Sequence, residues 1–222
     1  MNSPAYADQA IFTSLTRLGK AGYHVVAKSS GVTESEARAV ATWSPSHGGL
    51  SVDDRNPVSV NFYQVPSGRF ALSRTCEGRG EYSLRGGKQL YTRAILFDSA
   101  RLKHVGYRPF LIYHDAFSLG HLHYQLDPPS VLPRIKLSHF FPDDPLQTDI
   151  VEKLIDPGTV EMLVSQLSAG QPIVFPFDGE RIALANYLLG RLSHEVLMGL
   201  SFATSLVPSA VRPFRLNLVA AR

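Results

Sequence analysis

The sequence contains very little cysteine, which limits both its redox chemistry and its means of stabilisation. Cys76 is the single cysteine among 222 residues, so no disulfide can form within the chain. With 44% hydrophobic and 18% charged residues, the composition is that of a folded protein rather than a disordered one. Folding a chain of this size removes roughly 70% of its surface from water, so its core needs neither disulfides nor metals.

Targeting segments and long hydrophobic runs are also missing. The first eight residues contain neither the basic nor the apolar part of a signal peptide. The most apolar stretch, 184–206, is interrupted by Asn186, Arg191, His194 and Glu195, whereas a membrane helix needs about 20 apolar residues in succession. We therefore expect a cytoplasmic protein with no membrane contact.

The sequence lacks the complete signatures of common enzymes. Ser46-His47-Gly48-Gly49 is similar to the oxyanion loop of hydrolases, but no Gly-x-Ser-x-Gly motif accompanies it. Two nearby histidines, His121 and His123, have no further ligands at the spacing of a metal site. Walker A and dinucleotide-binding signatures are absent as well. We therefore predict no cofactor and no metal, and we name no catalytic residue.

The pattern of apolar residues predicts strands in the first half of the chain and helices among strands in the second. The expected strands are 9–17, 22–29, 58–65, 69–75, 89–97, 134–139, 171–175, 199–205 and 214–220. The expected helices are 34–43, 99–105, 109–119, 157–169 and 180–192. This mixture predicts an α+β fold with one core, a mostly antiparallel mixed sheet and about five helices. We expect a single domain over 1–222, with a weak internal boundary at 120–133 as the alternative.

Two of these helices have clear boundary signals. Thr33 and Glu36 form a capping box at the start of 34–43, in which each side chain accepts from the other residue's backbone amide. Asp156 is a good cap for 157–169, and Pro157 suits the first turn. Within this helix, Val160, Leu163, Val164 and Leu167 share one face, which should pack against the sheet.

Positive charge is concentrated in one part of the sequence. The net charge is only +3, yet 69–108 carries an excess of six positive charges and 141–161 an excess of five negative ones. Within the first region, Arg74, Arg79, Arg85 and Lys88 alternate with four glycines. Glycine lets backbone amides approach a ligand, and arginine binds carboxylate or phosphate through paired hydrogen bonds. We predict a site here for a protein partner or a phosphate group; the alternative is a turn-forming loop whose charges face water or the acidic region.

Further candidate binding residues are a tyrosine that follows this basic loop and two histidines whose imidazoles suit binding. We include Tyr91, His24 and His47. Cys76 lies between cations that would favour a thiolate, but cysteines are more often buried apolar residues. Tyrosines among arginines also suit stacking on nucleic-acid bases. Because no recognised nucleic-acid-binding motif is present, we do not expect a nucleic-acid partner.

Three parts of the chain together resemble a known family. They are 9–14 with 22–31, the central segment 82–92, and 200–205 with 212–216. These segments resemble the N-terminal domain of bacterial GTPase-associated protein 1-like families, which include planctomycete-type proteins. The resemblance implies an adaptor that associates with a small GTPase or another NTPase in a signalling or defence system, and it supplies no catalytic residues. The alternative is an enzyme that acts on a phosphate-bearing or nucleotide substrate in the same region.

Overall fold

The computed structural model describes residues 6–16, 21–80, 88–138 and 148–221, with the side chains of 148–150 excepted. These ranges contain ten strands and seven helices. In chain order they are β1 Tyr6–Ser14, β2 Tyr23–Ser29, α1 Glu34–Trp43, β3 Val58–Gln64, β4 Phe70–Gly80, β5 Lys88–Phe97, α2 Ser99–His104, α3 Pro109–Ser118, β6 Val131–Leu132, β7 Ile135–Lys136, α4 Thr148–Leu154, α5 Pro157–Ser168, β8 Ile173–Pro176, α6 Arg181–Leu189, α7 His194–Met198, β9 Phe202–Ala203 and β10 Leu216–Val219.

The described strands form a mixed sheet in the order β6-β2-β1-β5-β4-β3-β9-β10-β8, and β7 also pairs with β1. Pairing is antiparallel along the central strands from β2 to β9. It is parallel only where β6 meets β2 and where β10 meets β8 and β9. The expected α+β fold with a mostly antiparallel mixed sheet is therefore confirmed. The two helices beyond the expected five are α4 and α7, which are short and give weak periodic signals.

The cap of α1 connects this helix to the sheet. The Glu36 carboxylate accepts from the Thr33 amide at 2.9 Å, and the Thr33 hydroxyl accepts from the Glu36 amide at 3.2 Å. The other Glu36 oxygen accepts from Ser67 at 2.6 Å and from Arg69 at 3.4 Å. Arg69 also pairs with the buried Asp8 of β1 at 2.7 Å. The predicted capping box is therefore part of a buried polar network between α1, β1 and the β3–β4 turn.

Both faces of the sheet are covered by apolar residues. The larger cluster lies between one face and helices α3, α5 and α6, and the smaller one lies under α1 on the other face. In α5, Val160, Leu163 and Leu167 are buried, whereas Val164 is only partly buried. None of the described helices has the length and hydropathy needed to cross a membrane.

A fully buried arginine holds the loop between α1 and β3. Arg181 starts α6 and donates to the Thr204 carbonyl at 2.9 Å and to the Ser205 hydroxyl at 3.1 Å. Its two terminal nitrogens reach the Asp53 carboxylate at 2.9 Å and the Ser51 carbonyl at 3.1 Å. One side chain therefore connects residues 51–53 to the segment that follows β9.

Candidate functional site

A groove lies at the end of the β4–β5 hairpin, where α3 and the segment after it pass over the sheet. Its volume is about 590 Å³. The lining residues come from β3, β4, β5, α3 and the two short segments beside them: Pro57, Val58, Arg74, Cys76, Glu77, Gly78, Arg79, Lys88, Phe117, His123 and Tyr124. The structure therefore brings together three of the four predicted cations. The fourth, Arg85, lies outside the described residues.

Arg74 forms the inner end of this groove. Its guanidinium carbon lies 5.4 Å from the centre of the exposed Phe117 ring, a cation–π distance that fixes the side chain against α3. The charge of Arg74 also acts on the Tyr113 hydroxyl and the Cys76 thiol. Its Nε is buried and has no hydrogen-bond acceptor among the described residues. Arg74 is therefore held in place mainly by neutral groups.

Arg79 and Lys88 lie at the outer rim of the groove. Arg79 is exposed, and Lys88 pairs with Glu77 at 2.5 Å. Among the described residues that line the groove, Glu77 is the one carboxylate. The described lining residues thus have a net charge of +2 when His123 is neutral, and Arg79 has no ion-pair partner within the part of the chain that the structure describes.

Cys76 is not an activated thiol. Burial raises the pKa of Cys76, although the charge of Arg74 acts in the opposite direction. The thiolate that the neighbouring cations were expected to favour is therefore a minor species at neutral pH. Cys76 instead packs with Tyr91 and Tyr124 in a small apolar cluster below the groove.

The other predicted binding residues do not line the groove. Tyr91 is buried directly opposite Cys76, and burial raises its pKa to about 12. His24 lies on β2 opposite Thr13, and its Nδ1 is 2.9 Å from the Gly22 carbonyl oxygen. His47 is exposed in the loop between α1 and β3. Tyr91 therefore supports the floor of the groove, while the two histidines lie apart from it.

Arg93 is the residue near the groove that the sequence analysis did not select. It lies directly opposite Arg74 across the β4–β5 pair. Its Nη2 and Nε donate to the Gln9 side-chain oxygen at 2.6 and 3.2 Å, and its Nη1 donates to the His123 carbonyl at 3.4 Å. Burial lowers the pKa of Arg93 from its usual value, but an arginine remains charged at neutral pH. One feature of the sequence indicates that Arg93 lies near the groove. Side chains alternate between the faces of the predicted strand 89–97, so Arg93 shares a face with the candidate residue Tyr91.

The two histidines at 121 and 123 lie in different surroundings. Burial lowers the pKa of His121, and the nearby Arg93 acts in the same direction. His123 instead contacts the Phe117 ring, with 4.7 Å between ring centres. In the part of the chain that the structure describes, no group of three or more histidine, cysteine or acidic residues could hold a metal ion.

The family of the chain follows from a match that covers most strands of its sheet. A family model described as GTPase-associated protein 1, N-terminal domain type 2, matches residues 6–136. The chain belongs to this GTPase-associated family. The matched residues include β1 to β7 and every residue that lines the groove. No curated protein and no solved structure matches the chain. The resemblance found in the sequence is therefore confirmed, and the groove is part of the GTPase-associated domain itself.

Proposed function

We propose that this protein is an adaptor or regulatory module that binds a partner protein, a GTPase or another NTPase, through the groove at the β4–β5 hairpin. The observation that carries this proposal is the charge of the groove. Arg74, Arg79 and Lys88 line one groove, and Glu77 is the single carboxylate among its described lining residues. An acidic group of a partner would find there both long-range attraction and directed hydrogen-bond donors.

The lining of the groove supports recognition more than catalysis. A covalent mechanism needs an activated nucleophile, and burial raises the pKa of the Cys76 thiol. The Glu77 carboxylate is already paired with Lys88 at 2.5 Å. The groove therefore offers fixed positive charge and aromatic walls rather than a nucleophile with an adjacent base.

An enzyme acting on a phosphate-bearing or nucleotide substrate is the second candidate function. The observation that favours it is the grouping of Arg74, Arg79 and Lys88 with His123 around one groove of about 590 Å³, since a substrate needs such a recess. His123 is the lining residue that suits general base catalysis. Turnover of a nucleoside triphosphate that is lost in His123→Ala, while partner binding is retained, would favour this second function.

Capture of partners from the native host tests the proposed function. The tagged chain and its Arg79→Glu variant would each be used, and captured proteins would be identified by mass spectrometry. We expect a GTPase or another NTPase with the wild type. The variant should bind it with a dissociation constant raised about thirtyfold, since about 2 kcal/mol is lost when attraction becomes repulsion. Added salt should weaken wild-type binding more than binding of the variant.

Arg38→Glu provides the matched control. Arg38 is an exposed arginine on α1 and does not line the groove, so the same change of charge is made on a different surface. This variant should bind as the wild type does, and both variants should keep the wild-type melting temperature. Equal binding by Arg79→Glu and the wild type would contradict the proposed function.

A further inference from the structure

Arg74 and Arg93 place two positive charges beside one another in the sheet. The two residues lie directly opposite on neighbouring antiparallel strands, where like charges repel. Both side chains are half-buried, so water screens this repulsion less than at an exposed site. The pair therefore places two half-buried positive charges at one position of the sheet.

No carboxylate cancels these two charges among the described residues. Arg93 is hydrogen-bonded to the Gln9 amide oxygen and the His123 carbonyl. Arg74 rests on the Phe117 ring and leaves its Nε without an acceptor. Neutral acceptors satisfy donors but do not neutralise charge, so the positive field of both arginines remains. Arg74 lines the groove itself, and Arg93 lies beside it in the sheet.

We propose that the groove binds a phosphoryl group, which Arg74 and the rim residue Arg79 contact directly and which the charge of Arg93 helps to hold. This inference rests on the proposed function, because it names the chemical group that the partner presents. Together with Arg93, the described residues of the groove have a net charge of +3 when His123 is neutral. A phosphate ester carries between about −1.5 and −2 charges at pH 7, so it matches this excess better than a single carboxylate does. Arginine also binds phosphate oxygens through two parallel hydrogen bonds.

Arg74 and Arg93 have different roles in this proposal. Arg74 is a contact residue, since its side chain lines the groove. Arg93 is a positioning residue, because its donors are already used by Gln9 and His123 and it acts through its charge and through the backbone of His123. Arg93→Lys should therefore retain most of the affinity, whereas Arg93→Gln should lose it. Arg74→Lys should lose affinity in spite of its charge, because lysine cannot make the paired hydrogen bonds.

Binding of inorganic phosphate to the whole chain tests the inference. Titration calorimetry at pH 7.5 would compare phosphate with glutarate, a dicarboxylate, with sodium chloride added to keep the ionic strength constant. We expect a saturable heat with phosphate, and with glutarate a dissociation constant at least tenfold higher. Arg74→Gln should raise the phosphate dissociation constant about tenfold or more, since a charge-assisted hydrogen bond contributes about 1.5–3 kcal/mol. Arg38→Gln should match the wild type.

Two further ligands distinguish the sources of the phosphoryl group. O-phospho-L-serine represents a phosphorylated side chain, and guanosine diphosphate represents a nucleotide. Tighter binding of the first would assign the groove to a phosphorylated segment of a protein, and tighter binding of the second would assign it to a nucleotide. Either result supports the inference if Arg74→Gln weakens binding of the preferred ligand as it weakens binding of phosphate. If circular dichroism shows that Arg74→Gln does not fold, the exposed Arg79→Gln serves the same test.

The inference and the proposed function can fail separately. Phosphate that binds no more tightly than glutarate, or that binds equally to the wild type, Arg74→Gln and Arg79→Gln, would overturn the inference. If the wild type still captures a GTPase and Arg79→Glu does not, the proposed function is supported although the phosphate inference has failed. If phosphate binds but no GTPase or other NTPase is captured, the phosphate site is supported and the proposed function is contradicted.

Discussion

Replacing Arg181 by methionine tests how the loop between α1 and β3 is held. The Arg181 side chain is 0% exposed. Four hydrogen bonds join it to the Thr204 and Ser51 carbonyls, the Ser205 hydroxyl and the Asp53 carboxylate. Methionine fills much of the same volume but donates to none of these groups. The variant therefore removes the hydrogen bonds and the ion pair while leaving only a small cavity.

The size of the effect follows from what remains around Asp53. Removing one partner of a buried ion pair costs about 3–5 kcal/mol, because the other charge stays buried without compensation. The Asp53 side chain is 32% exposed and keeps its hydrogen bonds from the Asn56 amide and side chain at 2.7 and 3.0 Å. We therefore expect Arg181→Met to lower the free energy of unfolding by about 3 kcal/mol, the lower end of that range.

The effect should depend on pH in one direction. Burial alone would raise the pKa of Asp53, but the hydrogen bonds from Asn56 and the charge of Arg181 outweigh it, so the pKa is lowered. A carboxyl group with a lowered pKa stabilises the folded state fully above its unfolded value, about 3.9, and loses this contribution as the pH falls below it. The difference between the wild type and Arg181→Met should therefore become smaller as the pH is lowered below about 4.

Urea unfolding followed by circular dichroism measures the change, and Arg55→Met is the matched control. The Arg55 side chain is 59% exposed and lies 3.5 Å from the exposed Asp178 carboxylate. Such a surface pair contributes about 0–1 kcal/mol, so this variant should unfold close to the wild type. If Arg181→Met also unfolds within about 1 kcal/mol of the wild type, the buried arginine is not what holds the loop, and the reasoning is refuted.

Two further predictions concern packing. Leu163→Ala should lower the free energy of unfolding by about 2–5 kcal/mol through the cavity it leaves under α5. Met162→Ala, at a 47% exposed position of the same helix, should change it by less than about 0.5 kcal/mol. Equal urea midpoints for the two variants would show that the face of Leu163 is not part of the core. Gly31→Ala places a methyl group 2.5 Å from the buried carboxylate of Asp8 and should cost about 1–3 kcal/mol. In Gly80→Ala the added methyl meets nothing within 4 Å among the described residues, so a melting temperature as low in this variant as in Gly31→Ala would contradict the steric explanation.

The elements with local signals were predictable from the sequence. The capping box at Thr33 and Glu36 determines where α1 begins, since both hydrogen bonds are made within four residues. Asp156 and Pro157 do the same for α5. Apolar patterns also located β3, β5 and the first part of β4, whereas the last residues of β4, 76–80, lie beyond the predicted strand 69–75. These are the parts of the fold in which neighbouring residues supply the information.

Parts that depend on distant residues were not predictable. Arg93 belongs to the site only because β4 and β5 pair in the register that places it opposite Arg74, and no local pattern encodes this register. His24 and His47 were chosen for their chemistry, and the topology places both outside the groove lining. Arg181 resembles a solvent-exposed first-turn residue in the sequence, yet its partners lie more than twenty residues away in both directions. Long-range packing determines each of these placements.

The central sheet continues beyond the residues that define the family. Strand β3 belongs to the matched region, but its neighbour β9 does not. The Val60 amide donates to the Thr204 hydroxyl at 2.9 Å, the Val60 carbonyl accepts from the Thr204 amide at 3.1 Å, and the Phe62 ring stacks on Phe202 with centres 5.7 Å apart. A chain cut after residue 136 would therefore end its sheet at a bare β3, with open backbone donors beside an uncovered aromatic ring. Such an edge favours pairing between copies, so the boundaries of the family are not suitable boundaries for a soluble fragment.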